Sequence, residues 1–340
     1  MGKIRVTFRE EDIRPARLMD EADKAMALDI ARLLSRRAEF VRVPCPACGS
    51  QAARPLFSKN GLHYEQCADC ETFYINPRPS PPVLAWFYAD SATYDYWNAH
   101  VFPAAEERRR KVIASPRVDR LLALCDGLAV PTESLLEVGA AFGTFCLEAA
   151  SRNRFRRIVA LEPTPGLART CRQHGLETIE QPFESYGATP PADRFSVLAS
   201  FEVIEHLFAP RDFLQAAHRV LRPGGLLVLT CPNGQGFDIQ VLGTQSDSVD
   251  HEHLNYFSPK SLRKLLMDCN FEVIDMGTPG RLDAELVRKK VLTGEFELPA
   301  DGFLRRVLID EWDRLGPAFQ EFLSEHGLSS HMWMAARSQH

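Results

Sequence analysis

Three groups of residues in this chain have types and spacings that can do chemistry. CPACG at 45–49 and CADC at 67–70 place Cys45, Cys48, Cys67 and Cys70 as two C-x2-C pairs separated by eighteen residues. Each pair turns two thiolates to one side of a tight knuckle, and two knuckles close a tetrahedron around one Zn2+. Four thiolates leave no open position on the metal, so the expected zinc is structural rather than catalytic. Gly49, directly after Cys48, suits the left-handed backbone of such a knuckle.

The second group is LLEVGAAFGTF at 135–145, an apolar strand reaching Glu137 and then turning through Gly139 and Gly143 into a helix. Glycines at such a turn let a ligand approach the backbone. The second glycine falls four residues after the first, with Ala141 between them, so the dinucleotide spacing G-x-G-x-x-G is absent. Glu162 ends the next strand, IVALEP, nineteen residues after Gly143. A carboxylate there can accept both hydroxyls of a ribose.

The third group is histidine-rich. VDHEHLNYFSPKSL at 249–262 sets His251 and His253 one residue apart, in a loop of about 25 residues after a strand. His206 follows an earlier strand in FEVIEHL. Histidine titrates near neutral pH and can serve as a general base. A metal reading needs a third ligand, for which Asp250 and Glu252 are adjacent; hydrogen-bonding loop polarity is the third alternative. Extended backbone would point both histidines the same way. Asn255 and Tyr256 can add hydrogen bonds to a bound ligand, and His331 in LSSHMW is a weaker candidate for the same site. His206 could equally pack the helix start that follows it.

The elements that must position these groups alternate from residue 131 onward. Candidate strands are SLLEVGA, RIVALEP, ETIEQ, FSVLASF, LLVLTCP and FEVIDMG, with helical patterns between them. Buried strands alternating with helices predict a mostly parallel, doubly wound sheet. HMWMAAR at 331–337 is expected as an edge strand, returning after a helical insertion near 281–328. The segments are 1–42 (helical), 43–80 (ribbon), 81–130 (a helical and aromatic connector) and 131–340 (the α/β domain). The aromatic stretch 86–97 forms either a lid over the site or a seam between ribbon and core. The basic run Arg108 to Lys111 reads as a solvated helix face, with a phosphate-binding patch as the alternative.

Composition narrows the class. The net charge of −5 argues against broad nucleic-acid binding, which needs clustered cations. The first residues carry no apolar signal core, no run of about 18 apolar residues occurs, and the nine cysteines suit a reducing compartment. A cytoplasmic protein is expected, with no membrane partner.

The E-x-G-x-x-x-G loop, Glu162, FEVIEHL and the LRPGG turn at 221–225 together resemble class I S-adenosylmethionine-dependent methyltransferases, over roughly 131–280. The ribbon ending in YINPRP, with CPNG, DHEHLNYFSPKSL and LSSHMW, resembles a subgroup that includes nucleotide-sugar C- and O-methyltransferases. The resemblance implies a Rossmann-like fold with S-adenosylmethionine as cofactor. It implies that Glu137, Gly139, Ala140 and Gly143 line the amino-acid part of the cofactor and that Glu162 holds the ribose. Pro163 and Gln181–Phe183 would flank the adenine, and Phe201 and Glu202 would face the methionine. The function so implied is in-line methyl transfer to a small, sugar-containing acceptor, with His251, His253 or His206 as base and Tyr256 beside them. The competing readings are an RNA or protein methyltransferase whose ribbon grips a macromolecule, and a non-catalytic module of the same fold.

Overall fold

The computed structural model describes residues 9–189 and 191–339. Helix α1 (Ala16–Ser35) buries Ala22, Ala25, Asp29 and Leu33 along one stripe. A two-residue pairing of β1 (Phe40–Val41) with β5 (Arg78–Pro79) closes the base of the ribbon. Between them, β2 (Ala53–Lys59) and β3 (Leu62–Cys67) form a hairpin. It turns at Asn60 and Gly61, both with positive φ, as an Asn-Gly hairpin requires. β4 (Phe73–Ile75) pairs with β3.

Helices α2 (Pro81–Ala89) and α3 (Ala92–Tyr96) carry the aromatic stretch. α4 (Phe102–Arg109) runs through a wide five-residue turn at Arg110–Ala114 into α5 (Ser115–Leu128). The α/β domain follows, with β6 (Ser134–Val138), α6 (Thr144–Ser151), β7 (Arg157–Leu161), β8 (Glu177–Ile179), β9 (Phe195–Phe201) and β10 (Leu221–Pro232). β11 (Asn255–Tyr256), β12 (Phe271–Gly277) and β13 (His331–Ser338) complete the strands.

The seven-stranded sheet has the order β12-β13-β10-β9-β6-β7-β8. Strands from β10 to β8 run parallel, and β13 lies antiparallel to both β10 and β12. Its two faces alternate along each strand. Leu136, Leu198, Leu227 and Met334 pack on one side, Leu135, Val197, Val228 and Ala335 on the other, as the period of two in a strand demands. Each of the leucine, valine and methionine side chains among them contributes about 1.5–3 kcal/mol of burial free energy. The doubly wound reading therefore holds.

Two expectations differ. β13 is an interior strand, not an edge, because Met332 to Ala336 are apolar on both faces and each face is covered. The edge is β12, where burial lapses after Phe271. The basic run also splits: Arg108 pairs with Asp12 and Arg110 with Glu148, while Arg109 turns inward over the Phe102 ring.

The order of the small sheet is β11-β4-β3-β2. Its last strand comes from the histidine loop, so the ribbon and the α/β domain share one hydrogen-bonded sheet. Arg78, fully buried, fixes this junction by donating to Asn255 Oδ1 and to the carbonyls of Leu254, Ile75 and Phe208. Between β12 and β13 run helices at Asp283–Leu292 and Trp312–Glu325. Among the described residues no helix is long and apolar enough to cross a membrane.

Candidate active site

At the C-terminal end of β6 the chain turns through Gly139 (φ 77°) and Gly143 (φ 79°). A Cβ on Gly139 would lie 2.4 Å from Val203, and one on Gly143 2.6 Å from Leu176. Both positions demand glycine for conformation and for space. Ala141 also takes positive φ, at 48°, and its N–H donates to Glu162 Oε2 at 2.9 Å. Thr164 N donates to the other oxygen at 2.9 Å. Glu162 therefore anchors the glycine loop to β7, and each carboxylate oxygen keeps a second lone pair for a ligand. Glu137 lies beneath the loop, where burial raises its pKa to about 8, and the Cys146 thiol donates to it at 3.0 Å.

At the tip of β9, Glu202 sits at φ 56°. Its Oε1 accepts from the Thr230 hydroxyl at 2.5 Å and from Arg117 at 3.0 Å, with His331 Nδ1 3.5 Å away. Burial pushes Glu202 up, but His331, Arg117 and the Thr230 hydroxyl bring it below the ordinary carboxylate value. It still keeps 40% of its side-chain surface exposed, so this cluster is reachable from solvent. Arg117 stacks 4.5 Å over Phe201, whose ring packs against Phe145 at 4.7 Å. Arg117 is a site residue that sequence reasoning missed; only its place on a helix before the glycine loop pointed to it. Phe183 instead packs on Phe213 in the main core. Ala140 is buried beside Cys146 and Cys171, and Pro163 lies between Glu162 and the Thr164 amide.

The histidine loop differs from the extended segment expected. Asp250 Oδ1 accepts from the N–H groups of both Glu252 and His253, a side-chain-capped turn that sends the two histidines apart. His251 packs edge-on against Phe87 at 5.8 Å; among the described residues neither ring nitrogen has a hydrogen-bond partner, and Nε2 lies 3.9 Å from Glu252 Oε1. His253 meets His206, ring centroids 4.7 Å apart. His253 Nδ1 lies 2.9 Å from the Ser248 carbonyl and 3.4 Å from Asp250 Oδ2. A carbonyl only accepts, so Nδ1 carries the proton and Nε2 keeps its lone pair. Burial lowers the pKa of His206 to about 3, and His253 beside it adds to this.

Glu205 is fully buried, and among the described residues neither of its oxygens nor His206 Nδ1 has a hydrogen-bond partner. Burial, then Glu202, raises the Glu205 pKa well above the usual value. Glu205, His206 and His253 each place one ligand atom within 4.8 Å of the others. These three, rather than Asp250 and Glu252, are spaced to share a cation.

Asn255 and Tyr256 are fully buried, and Tyr256 meets His253 edge-on with ring centroids 5.9 Å apart. Asn255 Nδ2 reaches the carbonyls of Ile204, Glu205 and Leu207. Tyr256 stacks on Phe73 at 4.2 Å, and its hydroxyl accepts from Asp250 N at 3.0 Å. Both shape the loop from inside the ribbon core. The aromatic stretch acts at the same place from the other side. Fully buried Asp29 of α1 accepts from Ser91 Oγ and from the N–H groups of Ala92 and Thr93, and Tyr94 faces Glu252. Burial, then Asp250, raises Glu252 to about 8.

The four cysteine sulfurs also lie within 4.8 Å of one another, Cys45 to Cys70 at 3.5 Å and Cys48 to Cys67 at 3.6 Å. A tetrahedron with Zn–S near 2.3 Å has sulfurs about 3.8 Å apart, so the set fits a four-thiolate metal site.

Sequence comparison agrees with this architecture. The profile of a family described as a methyltransferase domain matches residues 105–276, just over half of the chain. The chain belongs to this methyltransferase family. A ubiquinone biosynthesis O-methyltransferase of a Bradyrhizobium species is 26% identical over 144 residues, 39% of this chain and 56% of the relative. One from Xanthomonas campestris is 25% identical over 162 residues, 44% of this chain and 66% of the relative. The chain spans between about half and two thirds of these curated relatives. A methyltransferase of Archaeoglobus fulgidus is 13% identical with a TM-score of 0.47, covering 70% of this chain and all of that one. In methyltransferases that use S-adenosylmethionine, the cofactor supplies an activated methyl on its sulfonium.

Proposed function

We propose that this methyltransferase acts on a small, polyhydroxylated acceptor, a nucleotide- or polymer-linked sugar, with His253 as general base. The observation that carries the base assignment is the pairing of His253 Nδ1 with Ser248 and Asp250, which leaves the Nε2 lone pair to take a proton on a ring that packs against His206. The Ser248 carbonyl and the Asp250 carboxylate hold the imidazole in this orientation. His206, held neutral by burial, completes the wall, and His251 positions the loop against Phe87.

For the cofactor, the reading assigns Glu162 to the ribose and the Gly139–Gly143 loop, with Glu137 and Ala140, to the amino-acid part. Pro163 lies on the adenine side, and Glu202, Phe201 and Arg117 lie at the methionine end. Arg117 is the cation best placed for the cofactor's carboxylate. Cys45, Cys48, Cys67 and Cys70 hold a structural zinc that fixes the ribbon. Ribbon, connector and α/β domain follow the segments 43–80, 81–130 and 131–340.

The sugar assignment is supported by the ribbon and the DHEHLNYF loop, and by a cleft rich in carboxylates and imidazoles that can bond hydroxyls. A second reading follows the curated relatives, whose names specify O-methyl transfer in ubiquinone biosynthesis; it keeps His253 as base and changes the acceptor to a phenolic hydroxyl. Transfer of labelled methyl from S-adenosylmethionine to a panel of nucleotide-linked sugars and simple phenols separates the two. Label in the sugars alone supports the first reading, and label in the phenols alone overturns it.

A further inference from the structure

The proton of the neutral His253 ring sits on Nδ1, which lies 2.9 Å from the Ser248 carbonyl and 3.4 Å from Asp250 Oδ2. Which imidazole nitrogen carries the proton is set by the hydrogen bonds the ring makes. A histidine side chain in water favours the other form, with the proton on Nε2. The lone pair at Nε2 therefore depends on where the Ser248 carbonyl and the Asp250 carboxylate are held.

Both are held from the ribbon. Ser248 is the third residue of a turn closed by Val249 N–H, which donates to the Ser246 carbonyl at 3.1 Å. The same carbonyl accepts from Lys59 Nζ at 2.7 Å, and Lys59 is the last residue of β2, at the hairpin turn. Lys59 is half-buried there; burial lowers its pKa, and the charges of Asp247 and Asp250 oppose this. Val249 is fully buried in the ribbon core with Leu62, Tyr64, Phe73 and Tyr256. On its other side the Asp250 carbonyl accepts from the Tyr64 hydroxyl at 2.6 Å, and Asp250 N–H donates to the Tyr256 hydroxyl at 3.0 Å. The α/β domain adds one contact, the buried carboxylate of Asp238, whose Oδ2 accepts from Ser246 Oγ at 3.0 Å and Ser248 Oγ at 3.4 Å. A buried network with these members satisfied is rigid.

We propose that Lys59 and Tyr64 of the ribbon are positioning residues for His253, fixing the segment 246–250 that keeps the ring's proton on Nδ1. This rests on the reading of His253 as the base and deepens it. Lys59 acts through the Ser246 turn and Tyr64 through the Asp250 carbonyl, so the ribbon takes part in the chemistry without touching the acceptor. Small displacements of a reacting group are costly in rate, and two long-range hydrogen bonds from one hairpin limit them here.

Nitrogen NMR of the S-adenosylhomocysteine-loaded protein with 15N-labelled histidine tests this at about pH 8.5, above the usual histidine titration. The His253 signals are assigned by their loss in His253→Ala. Wild type should show a protonated Nδ1 and an unprotonated Nε2. Lys59→Gln and Tyr64→Phe should each move both ring shifts toward a mixture of the two forms, and Lys59→Arg, which keeps a charged donor, should return to the wild-type pattern. S-adenosylhomocysteine affinity should stay within about twofold in all three. Ring shifts that match wild type in both Lys59→Gln and Tyr64→Phe overturn the proposal, as does a protonated Nε2 in wild type. Single-turnover transfer to whichever sugar or phenol takes labelled methyl should fall by about tenfold or more in these two variants, with acceptor KM nearly kept. Altered ring shifts with an unchanged transfer rate uphold the positioning and remove His253 as the base, so the two failures are told apart.

Discussion

His253 faces His206 with ring centroids 4.7 Å apart, and the two rings come from different connections of the sheet. His206 follows β9, and His253 belongs to the loop after β10 whose next residues become the fourth strand of the ribbon. The geometry at the proposed base therefore depends on three things: the sheet, the ribbon and the Asp250 turn.

Removing Glu162 should loosen the cofactor first. Glu162→Ala loses the carboxylate and also frees the N–H groups of Ala141 and Thr164. S-adenosylhomocysteine affinity, read by calorimetry, should fall by about tenfold or more. Unchanged affinity would remove Glu162 from the site.

The ribbon metal should matter for turnover without touching the cofactor. Cys45→Ser, or treatment with a strong chelator, should release one zinc per chain by elemental analysis and lower Tm. Because β11 pairs with β4, loss of the ribbon should also disturb the His253 loop. Turnover should drop more than cofactor affinity does. Zinc-free protein with full turnover would contradict this coupling.

Glu252 should make stability fall as pH rises. Its folded pKa lies near 8 and an unfolded glutamate titrates near 4.3, so between these values the native state binds the extra proton. The stabilisation is full below about pH 4 and is lost as pH climbs through about 8. Glu252→Gln, which stays neutral, should flatten the decline in Tm between about pH 5 and 9. An identical slope in both proteins would place the titration elsewhere. Glu137, also near 8, adds to the slope in both and does not cancel the difference.

Asp29 should act at a distance. Asp29→Ala removes the acceptor for Ser91, Ala92 and Thr93, leaving buried donors unpaired at a cost of about 1–3 kcal/mol. With Tyr94 released from Glu252, the acceptor KM should rise, while Asp29→Asn recovers part of it. Unchanged KM in both variants would reduce Asp29 to a stability role.

Local patterns made much of this readable from residues alone. The alternating strands, the glycine turn, Glu162 and the two C-x2-C pairs all lie within short windows, so period and spacing expose them. What escaped were contacts made across the chain. Asn255 and Tyr256 read as acceptor ligands because nothing local shows that they complete a ribbon strand beside β4. His251 and His253 read as parallel because the Asp250 turn that separates them resembles any polar loop. β13 read as an edge, although its unbroken apolar run signals cover on both faces. Arg109 read as solvated with the rest of the run Arg108 to Lys111, and only the tertiary fold sets it over the Phe102 ring.

The central claim is that His253 takes the acceptor's proton. The direct measurement is single-turnover methyl transfer by His253→Ala and His251→Ala, alongside the S-adenosylhomocysteine affinity of each. His253→Ala should slow transfer by about 100-fold or more with cofactor affinity nearly kept, and His251→Ala should cost far less. If His253→Ala transfers methyl at the wild-type rate, the base lies elsewhere.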